Sequence, residues 1–148
     1  MHLDLSKNSL TGKASTTMGD FFKLKNSLLY LDISECSLTS KEVSSFFKTL
    51  LQNRIPNLLE DLNISSNKID YLSVQAIGTY VANQRICKLK SLNLSCCNIG
   101  VKGAPYLASA LTSTKSLTYL NLAETSLGDS GAQSIASSLQ TQQGSDTI

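Results

Sequence analysis

Apolar and polar positions along this chain follow two rhythms that take turns. In residues 89–95, Leu92 and Leu94 alternate with Ser91, Asn93 and Ser95, the period of two that marks a short strand with one buried face. From Gly103 onward the spacing changes. Gly103, Ala104, Leu107, Ala108 and Leu111 recur at three and four residues, which predicts one apolar stripe of an amphipathic helix. Pro105 is read into that helix's first turn, where a missing N–H costs least.

The same pair of rhythms returns five times. Its opening phrase is Leu3-Asp4-Leu5-Ser6, Leu31-Asp32-Ile33-Ser34, Leu62-Asn63-Ile64-Ser65, Leu92-Asn93-Leu94-Ser95 and Leu120-Asn121-Leu122-Ala123, with first leucines 28, 31, 30 and 28 residues apart. Each phrase is followed by a helical stripe, such as Val43, Phe46, Phe47 and Leu50 in the second unit, or Ala132, Ile135, Ala136 and Leu139 in the fifth. A unit of this size cannot bury its own apolar face, so consecutive units must stack and share one column. The predicted units are 1–27, 28–58, 59–88, 89–116 and 117–140, with a polar tail at 141–148. Residues 52–57 and 83–88 lengthen the second and third units and are expected to widen the helix-to-strand loops on one rim. Met1 falls inside a unit already under way and no capping segment covers either end, so the array is expected to be part of a longer one.

The shared template, L-x-x-L-x-L-x-x-N/C-x-L followed by a helix, is that of leucine-rich repeats. The residues closing the strands are Asn8, Cys36, Asn67, Cys97 and Thr125, and Asn alternates with Cys over the first four units. This resembles the ribonuclease-inhibitor-like subfamily over nearly the whole chain. The expected fold is therefore an α/β solenoid, a horseshoe arc with parallel strands on the concave face and helices on the convex face. Each strand-closing side chain is short and polar enough to satisfy carbonyls in the turn that no regular ladder reaches.

Stacked units place equivalent positions in columns. One column is Asp4, Asp32, Asn63, Asn93 and Asn121. Beside it run Lys7, Glu35, Ser66, Cys96 and Glu124, and then His2, Tyr30, Asp61, Ser91 and Tyr119. With Glu60 and Lys90 at the edge, the wall carries mainly carboxylates, although the chain as a whole has a net charge of +2. An acidic concave wall with two tyrosines fits a basic, convex protein surface. The partner-binding candidates are Tyr30, Asp32, Glu35, Glu60, Asp61, Asn63, Asn93, Tyr119, Asn121 and Glu124. The competing reading is that Asp, Asn and Ser are simply what this template accepts there, hydrogen-bonding along the sheet.

Composition removes several functions. Lys23 with Lys25 and Lys88 with Lys90 are pairs, not a clustered basic patch, and aromatic content is only 6% with no tryptophan, so a nucleic-acid partner is not expected. No apolar run of 18 residues exists to span a membrane. His2 is the sole histidine and the glycines form no phosphate-binding pattern, so no catalytic triad, cofactor or small-molecule substrate is expected. Cys96 and Cys97 alternate in direction and cannot chelate one metal ion together. Four cysteines without a secreted scaffold's spacing point to a reduced, cytoplasmic setting.

The expected role is a non-enzymatic scaffold that binds a protein on its concave face. The Leu-Asn-Leu-Ser phrasing with uneven unit lengths also resembles the repeat domain of the actin capping-protein linker (CARMIL) family, which implies cytoskeletal regulation. Similar repeats in Ran GTPase-activating proteins and in innate-immune sensors leave those two readings open as well.

Overall fold

The computed structural model describes residues 1–23, 27–52 and 58–143. Five short parallel strands alternate with five helices. They are β1 (His2–Asp4), α1 (Lys13–Lys23), β2 (Tyr30–Asp32), α2 (Ser40–Gln52), β3 (Asp61–Asn63), α3 (Tyr71–Ala82), β4 (Ser91–Asn93), α4 (Gly100–Ser113), β5 (Tyr119–Asn121) and α5 (Gly128–Gln143). The strands lie in chain order in one sheet. Their register sets Leu3, Leu31, Leu62, Leu92 and Leu120 side by side. The expected α/β solenoid is therefore the fold of this chain, and the repeat period sets which leucines meet.

Each strand is only three residues long, yet the ladder continues past it. Ile33 N donates to Asn63 O, Ile64 N to Asn93 O and Leu94 N to Asn121 O, at 2.9–3.1 Å. Beyond them Lys7, Glu35, Ser66 and Cys96 donate N–H groups to Ser34, Ser65, Ser95 and Ala123 carbonyls of the next coil. These donors, with Glu124, have φ between 52° and 60°, the left-handed region. Cys96 therefore sits in a turn and not in a strand; it is exposed while Cys97 is buried.

The column between sheet and helices is dry. Leu31, Ile33, Leu50, Leu59, Leu62, Ile69, Ile77 and Leu92 are all essentially inaccessible. Edge-to-face rings run through the helical layer from Phe21 to Phe22, Phe46 and Phe47, and Phe47 then packs on Tyr80. This arrangement adds specific geometry to simple area burial. The fifth unit differs. Leu117, Leu120, Leu122 and Ile135 are half-buried, and Ala132, Ala136 and Leu139 of the expected stripe are exposed. Among the described elements α5 packs on α4, which buries the flank carrying Gly131 and Ser138 and leaves Ile135 partly covered.

One detail departs from expectation. Helix α4 begins at Gly100, so Pro105 lies in its second turn. It is tolerated because Pro105 and Val101 are both exposed, leaving the Val101 carbonyl that would have paired with residue 105 on the solvent side. Residues 83–88 form a turn that folds inward. Ile86 N donates to the Asn83 carbonyl and side chain, and Ile86 and Cys87 are buried while Gln84, Arg85 and Lys88 stay exposed. The corresponding stretch in the second unit falls largely at 53–57, outside the described residues.

Candidate functional site

The inner wall is built from the strands and the turns that end them, so those turns come first. In all five coils the Asp or Asn of the first column accepts a hydrogen bond from the backbone N–H two residues on. Asp4 takes Ser6 N at 2.8 Å and Asp32 takes Ser34 N at 2.9 Å. Asn63 takes Ser65 N, Asn93 takes Ser95 N and Asn121 takes Ala123 N, at 3.0–3.2 Å. This is the Asx turn, in which a side-chain oxygen replaces a backbone carbonyl and bends the chain out of the strand. It needs only an acceptor, which is why Asp and Asn interchange down the column. The bonding is thus local to each coil, with one addition across the sheet, from Asn63 Nδ2 to Asp32 Oδ2 at 2.8 Å.

The strand-closing residues satisfy the carbonyls behind these turns. Asn67, buried, donates to Ile33 O, Ile64 O and Ser65 O and accepts from Cys36 N and Leu38 N. Three of these five bonds, to Ile33, Cys36 and Leu38, tie the third coil to the second, and the other two close its own turn. Asn8 donates to Leu5 O and Ser6 O, and Thr125 to Leu122 O at 2.6 Å. The Cys36 thiol points at Leu5 O and Ser34 O, and the Cys97 thiol at Ile64 O and Ser95 O. Burial pushes both thiols up in pKa, so they stay protonated as donors.

Against this frame the candidate contact residues separate into two kinds. Asp32 is only 8% exposed. Its carboxylate accepts from Ser34 N and Oγ, from Asn63 and from the Tyr30 hydroxyl at 3.2 Å. Burial raises its pKa, but these bonds to the ionised form outweigh it and hold the carboxyl below its ordinary 3.8. Burial, followed by the adjacent Asp32 charge, pushes the Tyr30 hydroxyl up, so it remains a donor; its ring stacks on His2 at 5.5 Å. Asp32, Tyr30 and Asn63 therefore form one internally bonded group at the second and third coils.

The others face outward. Glu35, Glu124 and Asp4 are exposed, Glu60 and Asp61 are half-exposed, and Tyr119 is 55% exposed. Asn93 and Asn121 are half-exposed, with one oxygen engaged in the turn. The two wall lysines both face carboxylates, Lys90 on Glu60 at 2.8 Å and Lys7 near Glu35 at 3.8 Å. Cys96 Sγ lies 3.6 Å from Glu124. Asp4, Asp61 and Glu124 face outward and add to the negative charge of the Asp32 carboxylate behind them.

One residue that organises the wall's support was missed. Glu42 accepts from Thr39 N and Oγ1 at 2.9 Å while Thr39 Oγ1 accepts from Glu42 N at 3.4 Å, a capping box at the start of α2. Its other oxygen takes Gly12 N of the first coil at 2.7 Å. The bond from Thr39 N, against some desolvation and with Gly12 assisting, holds the Glu42 carboxyl below its ordinary value. Thr39-x-x-Glu42 was legible as a cap; the reach to Gly12 was not.

Among the described residues, no group of three or more His, Cys, Asp or Glu side chains could hold a metal ion, and no helix is long and apolar enough to cross a membrane.

Two leucine-rich-repeat family models match the chain, one at residues 56–78, 85–108 and 115–136 and the other at 27–50. Human NACHT, LRR and PYD domains-containing protein 14 is 30% identical over 141 residues, 95% of this chain and 12% of that protein. Mouse ribonuclease inhibitor is 27% identical over 138 residues, 93% of this chain and 29% of the inhibitor. The chain thus spans less than a third of the length of these relatives. Among solved structures, leiomodin-1 actin-binding site 2 shares the fold at a TM-score of 0.70 and 14% identity, covering 97% of this chain and 82% of that one. Matched along more than half its length by these family models, with the Asn/Cys turn residues and parallel arc in place, the chain belongs to the leucine-rich-repeat proteins of the ribonuclease-inhibitor-like kind.

Proposed function

We propose that this chain is a non-catalytic interaction module whose concave wall holds a protein partner through a basic, convex surface. The observation that carries this reading is the outward-facing carboxylate set, Asp4, Asp61 and Glu124, on a wall whose lysines both sit against glutamates. Tyr119 supplies an exposed aromatic anchor beside them, the residue type that dominates interface energetics. The likeness to a ribonuclease inhibitor, a protein whose name states a protein target, supports the same role.

The test is affinity capture from cell extract with the parent chain and with Asp61→Lys/Glu124→Lys. Both positions are outside the internally bonded group, so the fold survives, as circular dichroism would verify. Partners captured by the parent should be lost by the variant and should dissociate as salt rises. Recovery of the same partners by the variant sinks the acidic-wall reading.

A second reading is favoured by the likeness to NACHT, LRR and PYD proteins over 93–96% of this chain. It makes the module the repeat segment of an intracellular sensor. A transcript joining this coding sequence to a P-loop domain would support it; a transcript joining it to a pleckstrin-like domain would favour cytoskeletal regulation instead.

A further inference from the structure

The convex side carries a second surface, independent of the wall. Helix α3 has no charged residue in its twelve, and α4 has only Lys102. Solvent-facing helices normally carry charge on their outer face. Here the outer ridge of α3 is Leu72, Gln75 and Thr79, with Leu72 58% exposed. Tyr71 and Tyr106 are also exposed, at 37% and 39%.

A furrow runs along each flank of that ridge. The one toward α2, about 340 Å³, is lined by Ser44, Lys48, Leu51, Leu72 and Ala76, and the one toward α4, about 330 Å³, by Gly78, Ala82, Tyr106, Ser109 and Ala110. Gln75 and Thr79 line both. Small residues keep the furrows open, and at Gly78 the backbones come so close that a Cβ would lie 2.8 Å from Tyr106 O. Among the residues lining the two furrows the one charged side chain is a lysine, and further lysines stand nearby. Lys48 lines the first, and the Lys102 ammonium lies 5.5 Å from the Tyr71 ring centroid. Lys88 and Lys115 line a cleft just past the ends of α3 and α4. The nearby carboxylates face inward to caps, Glu42 to Thr39 and Gly12, and Asp70 to Leu72 N and Ser73 N.

We infer that the outer ridge of α3 with its two flanking furrows is a docking surface for an acidic amphipathic helix of another protein. An uncharged ridge, apolar at Leu72 and polar at Gln75 and Thr79, between parallel furrows accepts side chains spaced three and four residues apart on one helix face. The cationic border selects a helix whose other face is rich in Asp and Glu, and rejects a basic one.

The experiment is selection from a displayed library of randomised helical peptides against the full chain, with the Leu72→Gln/Lys48→Glu variant as the counter-bait. Both side chains are exposed, and unchanged far-ultraviolet dichroism and melting temperature of the variant verify its fold. Enriched peptides should show an apolar i, i+3/i+4, i+7 face and net negative charge. They should lose at least tenfold in affinity on the variant yet bind Asp61→Lys/Glu124→Lys as they bind the parent. Enrichment of basic or uncharged peptides, equal binding to the variant, or no enrichment at all would overturn the inference. Sedimentation of the chain with phosphatidylserine vesicles, lost in the same variant, would also overturn it by assigning the surface to an anionic membrane.

Discussion

Ser66 holds φ at 55° without a glycine's freedom, and so do Lys7, Glu35, Cys96 and Glu124 at the equivalent place. A side chain in the left-handed region costs about 1–2 kcal/mol, offset here because each coil's turn is fixed on one side by an Asx bond and on the other by the strand-closing residue. Ser66→Gly should therefore stabilise the chain by about 1 kcal/mol, after glycine's larger unfolded-state entropy is deducted; chemical denaturation would check it, and a lower midpoint would contradict the turn geometry. Glu42 gives a pH signature. Its carboxyl titrates below 4.5 when folded, so its contribution is fully present above that value and drains as pH falls through the folded pKa. Asp32 acts in the same direction from 3.8 downward. Glu42→Gln should lower stability by about 1 kcal/mol at pH 7, and the gap between variant and parent melting temperatures should narrow toward pH 3. Neither the left-handed turn nor the reach of Glu42 to Gly12 could be read in advance. The left-handed column contains no glycine to mark it, and the Asx role of Asp4 or Asn63 is indistinguishable by sequence from a ladder along the sheet. The strand-closing Asn, Cys and Thr were legible because their chemistry recurs at one spacing.

Elements were read more easily than their edges. Alternation at Leu92 and Leu94 and the stripe through Leu107 and Leu111 gave strand and helix in the right order because burial itself follows those periods. The boundaries depended on contacts the pattern does not contain. Gly100 starts α4 by adopting φ of 67° and donating to Thr125 O of the next coil, whereas α2 and α3 start at polar caps, Thr39 and Asp70. Packing between helices is tightest at Gly78. Gly78→Ala gains about 1 kcal/mol of helix propensity, but its Cβ would meet the Tyr106 carbonyl at 2.8 Å, a backbone atom that cannot swing aside. The net effect should be a loss of about 1–3 kcal/mol, seen as a lower denaturation midpoint. A stabilised variant would mean that α3 and α4 sit farther apart than described.

At the scale of the whole molecule, stability in a stacked array is close to a sum over coils and their interfaces. Leu62 lies in the middle, 2% exposed and flanked by coils on both sides, and Leu62→Ala should cost about 2–5 kcal/mol. Leu120 pairs on one side only and is half-buried, so Leu120→Ala should cost about 1–2 kcal/mol. Equal losses at the two sites, measured by denaturation, would contradict the column. The horseshoe was foreseeable from period alone; the fall in burial toward α5 was not, since every unit carries the same leucines and only the neighbour differs. The left-handed row has a consequence at this scale. Its five members are a lysine, two glutamates, a serine and a cysteine, all on one backbone geometry. That lip of the arc accepts interchangeable chemistry without retuning the scaffold beneath it, so its charge and polarity can be rewritten one letter at a time, provided the newcomer is not β-branched.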